Sequence, residues 1–595
     1  MNLSPEEKAV GKENFLEAAG ATRRDFLKGT MIATATAGAT LGAAYYKYGK
    51  IGSERLRVGI IGTGDEGGVL IGALNPDYID VVAVADIRPY SSHRAFHGDN
   101  YSAGTVKARP GLMRIYDWKT EDAARKHVKV YEHPDGGYQQ MLDDTDLEID
   151  AVIIALPLHL HNEAAIYAMK KGKHVLTEKL MGHSVAECKE MARVADETGL
   201  LLATGHQRHY SILYDNAVDQ INSGLIGDIH HIRAQWHRNN LPGRDSWQPP
   251  LPCSFVSEDE YKNLIRGARK IGKAEEQAIR DEYKLLGEYF AWVRKRDQST
   301  GSEAETWAHR VDQKRAQMDD HIVDAARYGY TEKPLNVDSG RNRPPLEELI
   351  RWRLWNRTGG GLMAELGSHQ LDAASIFISA QSEGRKKMMP LSVTGVGGRS
   401  IFPADRDVDD HVYTMYEFPA AGYYQDANQK EVADANKKIV VTYSSINGND
   451  YGGYGEVVLG TKGTLILERE KDAMLFKRSE TLTKISVKAG SDGPAMDTYE
   501  TGGGMAAVAA AAIPTEVSRG YQEEIEHWAW CIKNPAPDHK PKCYPKVALA
   551  DAVIALTSNI AMAENRRIEF QPDWFDYKSD ATPDGKAPRN VSDLG

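Results

Sequence analysis

The chain has 595 residues, 41% of them hydrophobic and 8% aromatic, which is the composition of a globular protein and argues against wholesale disorder. A chain of this length exceeds one ordinary core, so we expect two domains. The formal net charge of −11 excludes nucleic acid as an expected partner, because binding a phosphate backbone requires clustered Lys and Arg.

The first segment, residues 1–50, differs in character from the rest. Arg23-Arg24 precedes an uncharged run over 29–44 that is rich in Ala, Thr and Gly. This pattern is typical of a twin-arginine export signal, and a chance Arg-Arg pair in an amphipathic helix is the alternative. The run is shorter and less apolar than the ~20 residues that span a bilayer. We therefore expect residues 1–50 to lie outside the fold, and the protein to be exported by the twin-arginine machinery to the periplasm or cell envelope.

A dinucleotide-binding pattern begins the next segment, residues 51–224. The apolar run 56–61 ends in Gly62-Thr63-Gly64-Asp65-Glu66-Gly67, a helical stretch follows, and the apolar run 81–85 ends in Asp86. The three glycines permit a tight turn, close approach of backbone N–H groups to a pyrophosphate, and close helix packing. Asp86 is suited to the ribose hydroxyls and disfavours a 2′-phosphate, so NAD is the expected cofactor. Arg88 keeps NADP open as the less favoured alternative, because an arginine there can accommodate that phosphate.

Further apolar runs over 150–157, 174–179 and 200–205 alternate with helical segments. Buried runs that alternate with helices predict a doubly wound, parallel Rossmann sheet in an α/β protein. Ligands bind such sheets beyond the carboxyl ends of the strands. We assign cofactor contacts to residues at or just after these ends, namely Pro157, His161, Glu178, Lys179, Gln207 and Arg208.

The second predicted domain spans residues 225–570. Strict alternation of apolar and polar residues over 411–418 and 438–443 predicts a sheet covered on one face, whose free face suits a homo-oligomer contact. Residues 250–345 form a charged, helix-prone insertion. We interpret it as a helical hairpin beside the substrate cleft or at a subunit contact, with a solvated decoration as the alternative. Residues 502–512 are expected to form a loop, and residues 571–595 a C-terminal tail.

Short motifs occur in a fixed order along both domains: Gly59-Ile60-Ile61-Gly62-Thr63-Gly64, Leu156-Pro157 with His161, Gly172-Lys173-His174-Val175 leading to Glu178-Lys179, Arg208, Gly224-Leu225-Ile226-Gly227-Asp228-Ile229, Gly359-Gly360-Gly361 followed by Glu365, Gly367, His369 and Asp372, and Gly460-Thr461-Lys462-Gly463-Thr464-Leu465. In these motifs the sequence resembles the glucose-fructose oxidoreductase/inositol dehydrogenase/MocA (Gfo/Idh/MocA) family, over roughly residues 55–240 and 350–570. The resemblance implies an α+β second domain with an open, mostly antiparallel sheet. Two positions depart from the family pattern: Leu180 stands where proline is usual, and Glu365 where aspartate is usual.

Oxidation of a secondary alcohol by hydride transfer requires a base for the hydroxyl proton. His369 is the best candidate, because its ordinary pKa lies near neutral pH. Glu365 precedes it by one helical turn, where it is placed to orient the imidazole. Lys179 ends a buried strand at the cofactor face, where an ammonium stabilises a developing alkoxide. The structural alternatives are an ion pair between Lys179 and Glu178 and a solvated His–Glu pair on the helix.

Candidate substrate residues combine an aromatic ring with hydrogen-bonding groups, as a sugar requires. They are Arg208, Trp236, His237, Arg238 and Asp372. Packing of Trp236 within the sheet is an equally good interpretation. We expect no metal, because the sequence has no H-E-x-x-H spacing and its four cysteines form no C-x-x-C pair.

The predicted function is an exported, NAD-dependent oxidoreductase that acts on a sugar, polyol or sugar derivative, with Lys179 and His369 as proton-transfer residues. The alternative is an NAD-dependent glycosidase that recycles its cofactor within each reaction. Export favours that alternative, because little free NAD is available outside the cytoplasm. A third possibility, a non-catalytic sugar-binding relative, predicts a broken proton-transfer site, whereas Lys179 and His369 are both present.

Overall fold

The structure is a computed structural model that describes residues 2–22, 41–52, 54–134, 136–334, 342–382, 386–425, 431–478, 480–490, 493–498 and 519–594. The Arg23-Arg24 motif and the loop predicted over 502–512 lie outside the described residues. In its described residues, the N-terminal segment forms the helices α1 (Pro5–Thr22) and α2 (Leu41–Tyr46).

The first domain is built on a sheet of six parallel strands, β1 (Leu56–Ile61), β2 (Ile79–Ala85), β3 (Lys129–Tyr131), β4 (Ala151–Ile154), β5 (His174–Glu178) and β6 (Leu202–Gly205). Their order across the sheet is β3-β2-β1-β4-β5-β6, and β1 lies between β2 and β4 in parallel register. This order brings the ends of β1, β2, β4 and β5 to one edge of the sheet, where dinucleotides bind. The predicted Rossmann fold is therefore confirmed.

Helices cover both faces of this sheet, which is why its strands are apolar throughout. They are α3 (Asp65–Gly72), α4 (Pro89–His97), α5 (Ala103–Ala108), α6 (Leu112–Ile115), α7 (Glu121–His127), α8 (Tyr138–Asp143), α9 (His161–Lys170) and α10 (Val185–Thr198). The next helix, α11 (Ile212–Asn222), packs instead against α1. Local sequence sets their ends: α10 begins with a capping box between Ser184 and Glu187 and ends at Gly199, whose φ is 67°.

The predicted insertion follows β7 (Ile229–His237) and holds four helices, α12 (Glu258–Ile271), α13 (Lys273–Glu282), α14 (Lys284–Gln298) and α15 (Gly301–Asp319), then the strand pair β8 (Lys333–Pro334) and β9 (Asn342–Arg343). Helices α14 and α15 pack together, and α15 also packs against α4 of the first domain. The insertion therefore lies beside the nucleotide-binding edge of the first domain.

The second domain contains an eight-stranded sheet formed by β7 with β10 (Ser392–Gly398), β11 (His411–Pro419), β12 (Lys438–Ile446), β13 (Tyr454–Gly460), β14 (Thr464–Glu468), β15 (Asp472–Phe476) and β18 (Ile568–Glu569). The order is β15-β14-β13-β7-β12-β11-β10-β18, and every pair is antiparallel except β7 with β12. The mostly antiparallel sheet is thus confirmed. A hairpin of β16 (Ile485–Gly490) and β17 (Gly493–Thr498) stands apart from it.

The remaining helices of the described residues are α16 (Pro345–Ile350), α17 (Asn356–Gly359), α18 (Ser368–Ser379), α19 (Tyr521–Lys533) and α20 (Pro545–Ala563). A π-helical turn over Met363–Gly367 comes immediately before α18. Short 3-10 turns occur at Thr145–Leu147, Leu158–Leu160, Gln207–Tyr210, Asp320–Ile322, Ala325–Tyr328, Trp352–Leu354, Pro572–Phe575 and Val591–Asp593. Helix α18 packs on β7, β12 and β13, and α20 packs on β10. One face of the sheet is therefore covered, which explains the alternating burial along β11 and β12.

By length and composition, α20 is the one described helix that could cross a membrane. However, 67% of its most apolar window is buried inside the protein, where it packs against α10, α18 and β10.

The N-terminal segment differs from the expectation that residues 1–50 lie outside the fold. Helix α1 packs on β15, β16 and α11, and Phe15 is 1% exposed. The Asn14 side chain donates to the carbonyl oxygens of Leu475 and Thr483, at 3.1 and 3.0 Å, and accepts from the Ile485 N–H at 2.9 Å. The expectation rested on the Arg-Arg pattern, whereas these contacts depend on strands more than 400 residues later in the chain.

Candidate active site

The glycine turn after β1 has the geometry that a phosphate-binding turn requires. Gly62 has a φ of +85°, and a Cβ there would lie 2.5 Å from the Ala155 carbonyl oxygen. A Cβ on Gly67 would lie 2.3 Å from the Gly62 carbonyl oxygen, so α3 approaches the turn too closely for any side chain. A Cβ on Gly64 would meet nothing within 4 Å, which leaves its backbone open to a ligand. These are the three separate glycine roles in a dinucleotide-binding turn.

Asp86 fixes this turn from the end of β2. Its Oδ2 accepts hydrogen bonds from the backbone N–H of Thr63 at 2.8 Å and from the Thr63 hydroxyl at 3.3 Å. Its Oδ1 accepts from the backbone N–H of Arg88 at 2.9 Å. The Arg88 guanidinium instead turns to Asp320 of the insertion, with Nη2 2.8 Å from the carboxylate.

A cavity of about 1230 Å³ extends from the glycine turn to the second domain. The predicted site residues that line it are Gly62, Gly64, Asp65, Glu66, Asp86, Arg88, Pro157, Glu178, Lys179, Trp236, Arg238, Glu365 and His369. Within the described part of the chain, Oε1 of Glu66, Oε1 of Glu178 and both ring nitrogens of His159 are buried without a hydrogen-bond partner. An elongated cavity with an open glycine turn and unused polar atoms fits a dinucleotide.

Glu178 ends β5 at the wall of this cavity. Burial, together with the nearby Glu66 carboxylate, raises the pKa of Glu178 to about 8. Its carboxyl group is therefore mostly protonated at neutral pH and can donate a hydrogen bond as well as accept one.

Lys179 joins the two domains at the centre of the cavity. Its Nζ donates to the backbone carbonyl oxygen of Glu365 at 2.7 Å and lies 3.5 Å from that of Ala364. Oε2 of the Glu178 carboxyl group accepts a hydrogen bond from the backbone N–H of Lys179 at 3.1 Å. The described contacts of the ammonium are thus with the π-helical turn before α18 and not with Glu178. The peptide bond between Lys179 and Leu180 is cis.

Glu365 does not hold the His369 ring, contrary to the role suggested by their helical spacing. Its Oε1 instead lies 2.9 Å from Nε of Arg353. Although burial raises the pKa of Glu365, the charges of Arg353, Lys179 and Arg238 lower it to about 2. Glu365 is therefore a permanent carboxylate that offsets neighbouring cations, because the π-helical turn directs it toward Arg353.

His369 is the second residue of α18, and its side chain lines the cavity. Burial, and then the charges of Lys179 and Arg208, lower the pKa of His369 well below its ordinary value. Among the described residues its Nδ1 has no hydrogen-bond partner. The imidazole is thus neutral at physiological pH and able to accept a proton.

An aromatic wall lies beside His369. The Trp236 ring is 5.7 Å from the His369 ring and stacks on Tyr454, with centroids 4.3 Å apart. The Arg238 guanidinium lies 5.6 Å from the Trp236 centroid. All four side chains line the cavity. Trp236 therefore packs within the sheet and also faces the cavity.

Arg208, for which a contact with cofactor or substrate is predicted, does not line the cavity. It is 1% exposed, with Nε 2.8 Å from Glu470 and Nη1 3.1 Å from Glu456. Its Nη1 also donates to the backbone carbonyl oxygen of His369 at 2.7 Å. Arg208 is held by Glu456 and Glu470, two buried acidic residues of the second domain, and supports the first turn of α18 from the side away from the cavity.

Five other predicted contacts also lie outside the cavity lining. His161 joins the carbonyl oxygens of Leu180 and Leu156, at 2.8 and 2.9 Å, and so fixes two strand ends without facing the ligand space. Gln207 is buried at 1% exposure in the turn after β6, and His237 bonds within the sheet to Tyr451 and Ser444. Thr63 and Gly67 shape the glycine turn itself: Thr63 bonds to Asp86, and Gly67 allows α3 to approach Gly62.

Asp372, the sixth such residue, faces the opposite side of α18 from the cavity. Its Oδ1 lies 3.0 Å from His209 and 3.1 Å from Lys387. Two groups of residues in this buried cluster have ligand atoms within 4.8 Å of one another, His206 with Cys543 and Asp551, and His209 with Asp372 and Asp551. Lys387 forms salt bridges to both Asp372 and Asp551, so a cationic side chain already lies between the carboxylates.

Sequence reasoning missed several residues that line the cavity: Asp320, Arg353, Tyr454, Arg519 and Tyr521. None of them belongs to a short motif or follows a predicted strand of the first domain. Arg353 alone had a usable signal, because it shortly precedes the Gly359-Gly360-Gly361 turn.

A parallel sheet with a dinucleotide-binding turn, and a second domain that closes over its ligand edge, define the class of nicotinamide-dinucleotide-binding oxidoreductase folds. Residues 56–206 match the family model described as "Oxidoreductase family, NAD-binding Rossmann fold" (GFO_IDH_MocA). This match covers about a quarter of the chain, within the first domain, and it agrees with the resemblance carried by the sequence motifs.

Curated relatives match only part of the chain. A scyllo-inositol 2-dehydrogenase (NADP(+)) of Bacillus subtilis is 26% identical over 197 residues, which are 33% of this chain and 45% of the relative. A glycosyl hydrolase family 109 protein of Solibacter usitatus is 23% identical over 194 residues, 31% of this chain and 37% of the relative. The chain thus aligns with less than half the length of these relatives.

Among solved structures, levoglucosan dehydrogenase in complex with NADH and L-sorbose is similar with a TM-score of 0.47 and 15% sequence identity. The match covers 87% of this chain and 99% of that chain.

Proposed function

We propose that the protein is an NAD-dependent oxidoreductase that oxidises a hydroxyl group of a sugar, polyol or sugar derivative. One observation carries the proposal: the glycine turn and Asp86 line the same cavity as Lys179 and His369. The similarity to an inositol dehydrogenase agrees with a substrate of this class. The aromatic wall of Trp236 and Tyr454 suits the apolar face of a sugar ring.

Several residues of the cavity have a role in this reaction. Gly62 and Gly64 would leave space for the pyrophosphate, and Glu178 would offer its carboxyl group to the cofactor. A bound nicotinamide would accept the hydride from the substrate carbon as its C–H bond breaks, leaving a carbonyl group. The neutral imidazole of His369 takes the hydroxyl proton, and the Lys179 ammonium donates a hydrogen bond to the same oxygen as negative charge develops there.

Cation balance supports this assignment of the proton. Beside His369, Lys179 and Arg238 line the cavity together with Glu365, whose carboxylate is already paired with Arg353. This part of the cavity is therefore suited to an oxygen that gains negative charge, and His369, held neutral, is the group placed to accept a proton.

The test is a screen of sugars, polyols and glycosides with purified full-length protein, with formation of NADH followed by absorbance. We expect stoichiometric NADH from at least one free sugar or polyol. Absence of NADH from every hydroxyl compound, in a protein that binds NAD, would contradict the proposal.

A second candidate function is a glycosidase that oxidises a sugar transiently and returns the hydride after the glycosidic group has left. The similarity to a glycosyl hydrolase family 109 protein favours it. This function predicts that NAD copurifies with the protein and that a glycoside is cleaved with no net NADH. Net NADH from a free sugar without glycoside cleavage would rule it out.

We propose that the protein is exported by the twin-arginine machinery, on the basis of Arg23-Arg24 and the uncharged run that follows. Replacement of both arginines by lysine should retain the protein in the cytoplasm, as measured by cell fractionation and immunoblotting. An unchanged distribution between the fractions would contradict export by this route.

We also propose that two copies associate through the open face of the eight-stranded sheet. Val396, Tyr413 and Met415 are 59%, 47% and 46% exposed there, and Val396 pairs with Tyr413 across β10 and β11. Light scattering after size exclusion should give a multiple of the 65.8 kDa chain mass, and Tyr413→Lys should lower it. A monomer at micromolar concentration would contradict the proposal.

A further inference from the structure

The insertion contacts the first domain at the place where the adenosine half of a dinucleotide would lie. Gln313 of α15 donates to Oδ1 of Asp99 at 2.9 Å and accepts from the backbone N–H of Asn100 at 2.6 Å. Arg310 of the same helix donates to the Asn100 carbonyl oxygen at 2.9 Å. These contacts fasten the C-terminal half of α15 beside the segment that follows α4, so the turn after α15 has a defined position.

Asp320 begins that turn and is fully buried, at 0% exposure. Its Oδ2 accepts from Nε and Nη2 of Arg88, at 2.9 and 2.8 Å. Its Oδ1 accepts from the backbone N–H of Tyr90 at 2.9 Å. Both carboxylate oxygens are therefore used, and the planar edge of the Arg88 guanidinium is directed into the insertion.

The contact between Asp320 and Arg88 matters because of where Arg88 lies in the cavity. Arg88 follows Asp86 at the end of β2, and both residues line the cavity together with Asp320. An arginine at this place in a dinucleotide-binding domain accommodates the 2′-phosphate of NADP. Here its charge is already paired, and Asp86 and Asp320 together place two carboxylates against one guanidinium. A 2′-phosphate would meet these two carboxylates and a guanidinium that is already paired, whereas ribose hydroxyls would not be penalised.

We propose that the insertion selects NAD over NADP, with Asp320 withdrawing Arg88 from the 2′-phosphate position. This inference rests on the proposed binding of a nicotinamide dinucleotide in the cavity. Asp320 is a specificity-determining residue that acts through Arg88. The insertion walls the same end of the cavity with Gln317, Tyr328 and Tyr330. Its helices are thus part of the cofactor site, and the interpretation as a solvated decoration does not account for these contacts.

The experiment is a measurement of NAD and NADP dissociation constants by titration calorimetry on purified full-length protein, with no sugar present. Asp320→Asn preserves the shape of the side chain and removes its charge. We expect the ratio of NADP affinity to NAD affinity to rise at least about 10-fold in this variant, because a released guanidinium forms charge-assisted bonds with phosphate. The wild-type protein should bind NAD more tightly than NADP.

Asp319→Asn is the matched control. Asp319 is the neighbouring carboxylate, its side chain is 35% exposed, and it pairs with Arg315 at 3.2 Å and not with Arg88. It removes the same charge from the same turn, so the affinity ratio should stay at the wild-type value. An unchanged ratio in folded Asp320→Asn protein, or an equal rise in the control, would overturn the proposal.

Arg88→Gln keeps the proposal falsifiable if Asp320→Asn does not fold. Arg88 is withdrawn in the wild-type protein, and burial raises the pKa of Asp320, so its carboxyl group is expected to become neutral once the guanidinium is gone. This variant should therefore leave the NADP affinity within about 3-fold, and it should cancel the gain when combined with Asp320→Asn. A selective loss of NADP affinity in the single variant would mean that Arg88 already serves the phosphate, and would overturn the proposal. Failure of wild-type protein to bind either dinucleotide would instead overturn the proposed function, and this inference with it.

Discussion

The Nζ atom of Lys179 lies 2.7 Å from the backbone carbonyl oxygen of Glu365, so the end of β5 in the first domain is joined directly to the π-helical turn of the second. The turn places its carbonyl groups toward the cavity, where they can hold an ammonium without neutralising it. The charge of Lys179 in turn helps to lower the pKa of His369. The pKa of the proposed base, His369, therefore depends on the charge of the proposed cation, Lys179.

Replacement of Lys179 by methionine tests this arrangement. The side chain keeps its length but loses the ammonium, so the developing alkoxide loses its hydrogen-bond donor and we expect kcat/KM to fall about 100-fold or more. NAD affinity, measured separately by calorimetry, should change little. Lys171→Met is the control, because Lys171 is an exposed cation at the end of α9. Unchanged turnover in Lys179→Met would remove this residue from the mechanism.

The pH dependence of turnover tests the role of His369. Only the neutral imidazole accepts a proton, and its lowered pKa keeps it neutral as the pH falls past the ordinary histidine value. Hence kcat/KM should stay level down to about pH 6, below the ordinary histidine pKa of about 6.5, and decline only at lower pH. His369→Asn should abolish turnover across the range. A profile that falls with a midpoint near the ordinary value would contradict a desolvated His369 as the base.

The first-domain strands and the pair Lys179 and His369 were predictable from the sequence, because apolar runs and short motifs place them at strand or helix ends. The partners of charged groups were not. Arg208 and Asp372 lie within family motifs, yet Glu456, Glu470 and Lys387, distant in sequence, determine where their side chains point. Asp320 had no sequence signal at all, since its role depends on how α15 docks beside α4. Local pattern indicates which elements form, and long-range packing decides which polar groups reach the cavity.

Glu178 provides a test on the folded protein without substrate. Burial, with the Glu66 charge, raises its pKa from 4.5 to about 8. Between these values the folded protein binds more protons at this position than the unfolded chain, so the free energy of unfolding falls as pH rises through this window. Glu178→Gln cannot ionise and should be more stable than wild type by an amount on the order of 2 kcal/mol above about pH 8, with a smaller difference near pH 5.

Thermal denaturation at several pH values, without NAD, measures this difference. Glu163→Gln is the control, because Glu163 lines the same cavity but is exposed. A Tm difference between Glu178→Gln and wild type that does not grow with pH would mean that Glu178 ionises as readily in the folded protein as in the unfolded chain.

Asn14 tests whether α1 belongs to the fold. Its side chain is 1% exposed and bonds to Leu475, Thr483 and Ile485. Asn14→Ala leaves these buried backbone groups without partners, so the free energy of unfolding should fall by about 1–3 kcal/mol. Glu13→Ala removes a neighbouring surface pair with Lys484 and should change it by less than about 0.5 kcal/mol. Urea denaturation of the full-length protein measures both. Equal stabilities for Asn14→Ala and wild type would mean that α1 is not docked on β15 and β16 in solution, and that residues 1–50 are separate from the fold after all.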